Sequence, residues 1–229
     1  MMKTLILTTL CLAAFIVTVN AQNKTPDKKS ENAAPQTLKK SNQRPATPIK
    51  SASEPFEKAT VEAMAAKCVE FDTEAGVIRL EMFPESAPET VRSFLNLAGT
   101  GAFDTTTFSR VVPGFIVQGG NLGTRERLTP ELSARANRPV PDEPNQIKHD
   151  RGIVSMARSD TPNSATTSFF IIVGAASHLD GTFAAFGRVI SGMEVVDAIN
   201  KMPVEAEKPT KPVRIKKATI AACPAQPKS

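Results

Sequence analysis

From Lys67 onward the apolar positions recur in two rhythms. "CVEFD" and "GVIRLEMF" alternate and flank the turn "TEAG", which reads as a β-hairpin. In "VIRLEMF", Val77, Arg79, Glu81 and Phe83 share one face and Ile78, Leu80 and Met82 the other, so one side is buried. "APETVRSFLNLAGTG" then shifts to the helical period, with Val91, Phe94, Leu95 and Ala98 on one stripe. Pro88 and Glu89 suit its first turn and Gly99 its stop. Strand patterns return at "TTFSRVV", "FIVQGG", "GIVSMAR", "SFFIIV", "FAAFGRVI" and "VRIKKATIA". "SGMEVVDAIN" is a second helix, with Ser191 as the expected N-cap.

Eight strands with two helices argue against a βαβ alternation. They predict a mostly antiparallel sheet closed on itself, its openings covered by helices. The connection from Asn121 to about Arg151, rich in Pro, Arg and Asn, is long for a compact domain, and such loops are more often functional than idle.

The pattern is different before this body. Lys3 precedes the apolar block "LILTTLCLAAFIVTV", which ends at Asn20-Ala21. A charged start, a short apolar stretch and a small residue at the cut predict a secretory signal over residues 1–21. The block is short for a membrane span, and the bulky Leu10 argues against Cys11 as a lipid-attachment site. Residues 22–62 read as a basic Pro/Lys/Ser-rich linker without the apolar content to order itself. The barrel domain is expected over 63–225, with a flexible end at 226–229.

Charge changes the picture only once it is divided. The 229-residue chain carries a formal +5, yet Gln22–Ser53 alone holds seven Lys/Arg against two Asp/Glu, and Lys3 adds one more. Glu54–Ser229 is therefore left at −1, and a nucleic-acid face, which needs basic residues clustered on the domain itself, is not expected. Chemistry is excluded in the same way. The chain has only two histidines, His149 and His178, and neither G-x-S-x-G nor H-E-x-x-H occurs. Metal-ligand spacing and phosphate-cradling loops are absent, so no metal or cofactor is expected. His149-Asp150 reads as part of a solvated loop.

One segment resists a purely structural reading. "TTTFSRVVPGFIVQGGN" is almost continuously apolar, yet it holds Arg110 and Gln118. A buried strand has no inexpensive place for a guanidinium or an amide. With "GIVSMARSDTPNSATTSFFI" and "HLDGTFAAFGRVISGMEVVDAI" following in order, it resembles the cyclophilin family of peptidyl-prolyl isomerases. The similarity runs from about Val69 to Ala222, and the Ala-Arg of the middle motif looks most like exported bacterial members.

The resemblance implies an eight-stranded antiparallel closed barrel capped by two α-helices, with a substrate groove on its outer face. Arg110 then matches the catalytic arginine and Gln118 the substrate-binding glutamine. Phe115, Phe170 and Leu179 match the proline pocket, and Ala157 and Arg158 the pair that holds the residues before proline. Four positions depart from the pattern: Ile116 replaces methionine, Ser168 a glutamine, His178 the tryptophan of cyclosporin-sensitive members, and Phe183 a histidine or tyrosine. These bear on substrate preference, rate and drug sensitivity rather than on reaction type. First and last strands are neighbours in this fold, which makes a Cys68–Cys223 disulfide a reasonable expectation beside two independent buried thiols.

The implied activity is cis-trans isomerisation of X-Pro bonds in unfolded or Pro-containing polypeptides. It would be carried out by a monomer in the periplasm or outside the cell, without a stable membrane span after signal cleavage. A catalytically weak proline-peptide-binding module or chaperone would use the same groove.

Overall fold

The computed structural model of the protein describes residues 54–224. The expected signal over 1–21, residues 22–53 of the linker expected over 22–62, and the C-terminal 226–229 lie outside the described residues. Within them the chain forms α1 (Val61–Ala65), β1 (Lys67–Thr73), β2 (Gly76–Met82), α2 (Pro88–Gly99), β3 (Arg110–Val112) and β4 (Ile116–Gly119). These are followed by α3 (Pro130–Ala136), β5 (Ile153–Met156), β6 (Phe169–Ile172), β7 (Ala185–Ser191), α4 (Met193–Asn200), β8 (Val204–Glu205), β9 (Lys208–Pro209) and β10 (Ile215–Ala222).

The first hairpin follows from its alternation. Ile78, Leu80 and Met82 are buried while Val77 is exposed. The Thr73 hydroxyl closes the turn by donating to the Gly76 carbonyl at 2.6 Å and accepting from the Ala75 N–H at 3.1 Å. α2 buries Val91, Phe94, Leu95 and Ala98. Ala87 cannot cap it, so the Glu143 carboxylate, delivered by the long connection, accepts from the N–H groups of Glu89 at 3.0 Å and Thr90 at 2.7 Å.

Eight strands form one antiparallel sheet in the order β10-β1-β2-β7-β5-β6-β4-β3. The expected barrel is not closed by a strand ladder. The sheet is curled, and its edges meet through the segments preceding β3 and β10. A single bridge joins Thr107 to Arg214, flanked by the bonds Phe108 N–H to Val213 O at 2.9 Å and Ile215 N–H to Thr106 O at 2.8 Å. Inside the curl stand Phe71, Phe94, Phe103, Phe169 and Phe186, with Phe71 stacked on Phe169 at 5.5 Å and Phe94 against Phe186 at 4.8 Å. Burying each ring contributes about 1.5–3 kcal/mol, and their edge-to-face contacts add to that.

Several expectations need correction. The body begins before residue 63, because Glu54 pairs with Arg135 and Arg138. The Phe56 N–H donates to Asn96 Oδ1 at 2.7 Å, and Arg92 donates to the carbonyls of Phe56 and Ala59. Ser191 is not the N-cap of α4; it still pairs with Arg79 in the sheet. Gly192 takes that place at φ +88°, where a Cβ would sit 2.1 Å from the Val77 carbonyl oxygen. The long connection also contains α3, whose Thr129 side chain accepts from the Leu132 N–H and whose first turn holds Pro130 and Glu131.

β8 and β9 form a separate hairpin beside β3. Its two-residue turn is made by Ala206 (φ 47°) and Glu207 (φ 65°), both left-handed and neither glycine. That conformation costs about 1–2 kcal/mol per residue for an L side chain.

Candidate functional site

Residues directly opposite in an antiparallel sheet point to the same face. The register places Arg110 opposite Gln118, Gln118 opposite Phe170, and Phe170 opposite Ser155. Their neighbours Val111, Val117, Phe169 and Ile171 point into the core. The row Arg110–Gln118–Phe170–Ser155 therefore crosses four strands on the outside of the curl. This resolves how a guanidinium and an amide sit within an apolar segment: their strands are walls, and the polar residues occupy the outer side.

A cleft of about 140 Å³ opens over this row. Arg110, Gln118 and Phe170 line it together with Phe115, Ile116 and Leu179. Ala157, Arg158 and Phe183 complete it. Its apolar floor is a second cluster, outside the main core, in which Ile116, Phe170, Ile172 and Ala176 are buried. Phe183 meets Phe170 edge-on at 5.8 Å, and the Arg158 guanidinium lies 5.1 Å from the Phe183 ring centre. Two residues expected at the site do not line the cleft. Ser168 instead offers its carbonyl to the Ala157 N–H at 3.0 Å. His178 is exposed at the rim, its ring 5.3 Å from that of Phe115.

The polar end of the cleft is held from two sides. Arg110 Nη1 donates to Gln118 Oε1 at 3.3 Å, and Arg110 Nε donates to Glu207 Oε2 at 2.7 Å. Phe115 is fixed from below: Asn200, buried at the end of α4, accepts from the Gly114 N–H at 2.8 Å. Its amide donates to the carbonyls of Val112 and Ile116, each at 3.0 Å. Glu207 and Asn200 escaped the sequence reading. No local pattern marks either, since their partners lie 97 and 86 residues away.

His149 is a further correction. It is not in a solvated loop but 2 % exposed, because its ring is enclosed by bonds at both nitrogens. Nε2 lies 3.0 Å from Ser155 Oγ and Nδ1 3.2 Å from Asp180 Oδ1, while its backbone N–H donates to the same oxygen at 2.8 Å. That backbone bond, ahead of Lys148 and the imidazole, holds the Asp180 carboxyl below its ordinary range against the opposing effect of partial burial. The three side chains have the order of a hydrolytic triad, but Ser155 is fully buried. Its hydroxyl meets no substrate, and the relay instead ties β5 to the turn that carries Leu179.

A larger cavity of about 490 Å³ lies elsewhere, lined by Glu54, Leu132 and the arginines 125, 135 and 138. Its arginines are tied to the protein: Arg125 donates to the Gly101 and Ala102 carbonyls, and Glu54 pairs with both other guanidinium groups. Among the described residues, no group of three or more His, Cys, Asp or Glu is placed to hold a metal ion. The Cys68 and Cys223 sulfurs lie 2.13 Å apart, a disulfide between β1 and the residue following β10.

The family model described as cyclophilin type peptidyl-prolyl cis-trans isomerase/CLD matches residues 68–220. A peptidyl-prolyl cis-trans isomerase A from Dickeya dadantii is 37% identical over 160 residues, covering 65% of this chain and 81% of the relative. A peptidyl-prolyl cis-trans isomerase from Streptomyces antibioticus is 36% identical over 167 residues, covering 66% of this chain and 97% of the relative. Among solved structures, a cyclophilin type isomerase from Cryptosporidium parvum, crystallised in the presence of the dipeptide Ala-Pro, superposes with TM-score 0.60 at 29% identity. That match covers 68% of this chain and 99% of the other.

Proposed function

The chain belongs to the cyclophilin type peptidyl-prolyl cis-trans isomerase family, and we propose that the cleft over Arg110, Gln118 and Phe170 is where it turns X-Pro bonds. The reaction class follows from the family: the protein is a peptidyl-prolyl cis-trans isomerase. The placement rests on one observation. A guanidinium, an amide and an apolar ring stand in adjacent rungs on the outer face, above a cleft of single-ring size. The Ala-Pro present with the Cryptosporidium relative supports a proline-containing peptide as ligand.

Rotation about a peptide bond faces about 18–20 kcal/mol, because the nitrogen lone pair is delocalised into the carbonyl. In the twisted transition state that pair localises on the prolyl nitrogen. Arg110 donates to it there more strongly than in either planar ground state, and such a differential interaction is what accelerates a reaction. Arginine suits the task because it stays charged and its fork is rigid. Phe115, Phe170 and Leu179 hold the proline ring, while Gln118 holds a backbone carbonyl, so one half of the peptide turns against the other. Ala157 and Arg158 flank the residues before proline. No bond is broken and no group leaves.

NMR titration with an Ala-Pro-containing peptide tests the placement. The amides of Phe115, Gln118 and Phe170 are expected to shift first. Shifts confined to the Arg125–Arg135 face would contradict it.

The natural substrates in this reading are exported, incompletely folded polypeptides, where slow X-Pro bonds limit folding. The apolar block after Lys3 and the Cys68–Cys223 bridge, which suits an oxidising compartment, support it. The basic stretch before residue 54 would then act as a tether. N-terminal sequencing of mature protein is expected to begin at Gln22, and an intact Met1 would contradict export.

A further inference from the structure

Glu207 is the only acidic group paired with Arg110 among the described residues, and the way it is presented is unusual. We infer that Glu207 is a positioning residue for the isomerase reaction: it orients the Arg110 guanidinium from outside the cleft, so that the remaining donors face the proline pocket. The inference rests on Arg110 being the donor of the preceding reading.

Three observations carry it. The first is the double tie. Glu207 Oε2 accepts from Arg110 Nε at 2.7 Å, and the Glu207 carbonyl accepts from the Val111 N–H at 2.8 Å. One residue of the β8–β9 hairpin thus grips two successive residues of the edge strand β3. With Nε occupied by Glu207 and Nη1 leaning to Gln118 at 3.3 Å, the planar fork is fixed about its own axis, and Nη2 meets no hydrogen-bond acceptor among the described residues. A guanidinium held at one nitrogen could swing; held at two, it keeps one plane.

The second observation is strain. Two-residue hairpin turns with both central residues left-handed favour Asn-Gly, yet here the positions are Ala206 and Glu207. A left-handed glutamate has no stabilising role in the turn itself. The third is exposure. The side chains of Arg110 and Glu207 are 43% and 49% exposed, and ion pairs in such surroundings add little stability. A strained turn presenting a weakly stabilising pair at the guanidinium that shares a rung with Gln118 is the pattern expected where strain serves a site. Edge protection of β3 does not explain the side chain, because the Val111 bond uses only the Glu207 backbone.

Four variants separate these roles: Glu207→Gln, Glu207→Ala, the double variant Ala206→Asn with Glu207→Gly, and Arg110→Ala. Each is measured for catalysed cis-trans exchange of an Ala-Pro peptide, for peptide affinity, and for thermal unfolding. Glu207→Ala is expected to lower the exchange rate about tenfold at unchanged affinity, and Arg110→Ala about a hundredfold. Glu207→Gln, which can still accept from Nε, restores part of the loss. The double variant relieves the turn, so it unfolds at an equal or higher temperature while exchanging as slowly as Glu207→Ala.

If all Glu207 variants exchange within twofold of wild type while Arg110→Ala is slow, the role of Glu207 is overturned and that of Arg110 stands. Faster exchange in Glu207→Ala would overturn it as well, making the pair a restraint on Arg110. A loss in every Glu207 variant that follows falling unfolding temperature would reduce Glu207 to hairpin stability. Wild-type exchange in Arg110→Ala would instead remove the reading on which the inference rests.

Discussion

Arg110 and Gln118 face each other across one rung of the β3–β4 ladder, with Nη1 and Oε1 3.3 Å apart. This is the long end of hydrogen-bond geometry. The amide steers the guanidinium without saturating it, which leaves donors of both groups to meet a substrate. Phe170 on the next rung supplies the apolar surface beside them.

That spacing makes the charge at position 118 decisive. Gln118→Glu would convert a long neutral-acceptor contact into a charge-assisted pair and draw Arg110 away from the prolyl nitrogen. Catalysed exchange is expected to fall about tenfold or more, with the unfolding temperature unchanged or raised. Exchange equal to wild type would show that Arg110 is not limited by its neighbour.

Asn200 serves the cleft from behind. Asn200→Ala would take the acceptor from the Gly114 N–H and one donor each from the Val112 and Ile116 carbonyls, leaving Val112 only the Phe115 N–H. Unsatisfied buried groups cost about 1–3 kcal/mol, so urea unfolding should show a loss of that order. Peptide affinity is expected to weaken as well, because the turn that places Phe115 loosens. Lost stability with intact affinity would separate the turn from the site.

The Asp180 carboxyl is held below its ordinary range, first by the His149 backbone N–H. A group whose folded pKa is depressed contributes stability fully above its unfolded value, near 3.9 for Asp. The contribution is lost as pH falls through the lower folded value. Wild type should therefore lose unfolding temperature more steeply than Asp180→Asn below about pH 4, and the two should run parallel above it. Parallel curves throughout would contradict the assignment.

The Cys68–Cys223 bridge closes a loop across a sequence separation of 155 residues. Removing a bridge of this span, by Cys223→Ser or by reductant, is expected to cost about 2–5 kcal/mol in denaturant unfolding. The cleft is built on other strands, so catalysed exchange at 25 °C should persist. Loss of exchange in protein that remains folded would show that the first and last strands support the site.

The main sheet was legible because its strands alternate or run apolar over short, punctuated lengths, as in "VIRLEMF" and "FFII". α2 was legible from its Pro88 start and its stripe of Val91, Phe94, Leu95 and Ala98. Arg110 and Gln118 stood out because their chemistry was at odds with their neighbours. The remainder depended on distance in sequence or on competing demands. α3 carried a readable start at Thr129-Pro130-Glu131 but was obscured by a polar loop composition. Ser191 looked like a cap until β7 claimed it and a close approach to Val77 required Gly192. His149 reads as polar and exposed until Ser155 and Asp180 enclose it. Glu207 has no local signal: its meaning arises when a hairpin near the C-terminal end meets a strand from the middle of the chain.

The central claim is that Arg110 stabilises the twisted X-Pro bond rather than merely binding the peptide. Exchange spectroscopy of an Ala-Pro peptide, with wild type and Arg110→Ala at equal peptide saturation, tests it most directly. Wild type is expected to bring cis-trans exchange from tens or hundreds of seconds into the range the spectra resolve. Arg110→Ala should bind with similar affinity yet exchange about a hundredfold more slowly. A variant that binds equally and exchanges as fast as wild type would contradict the account.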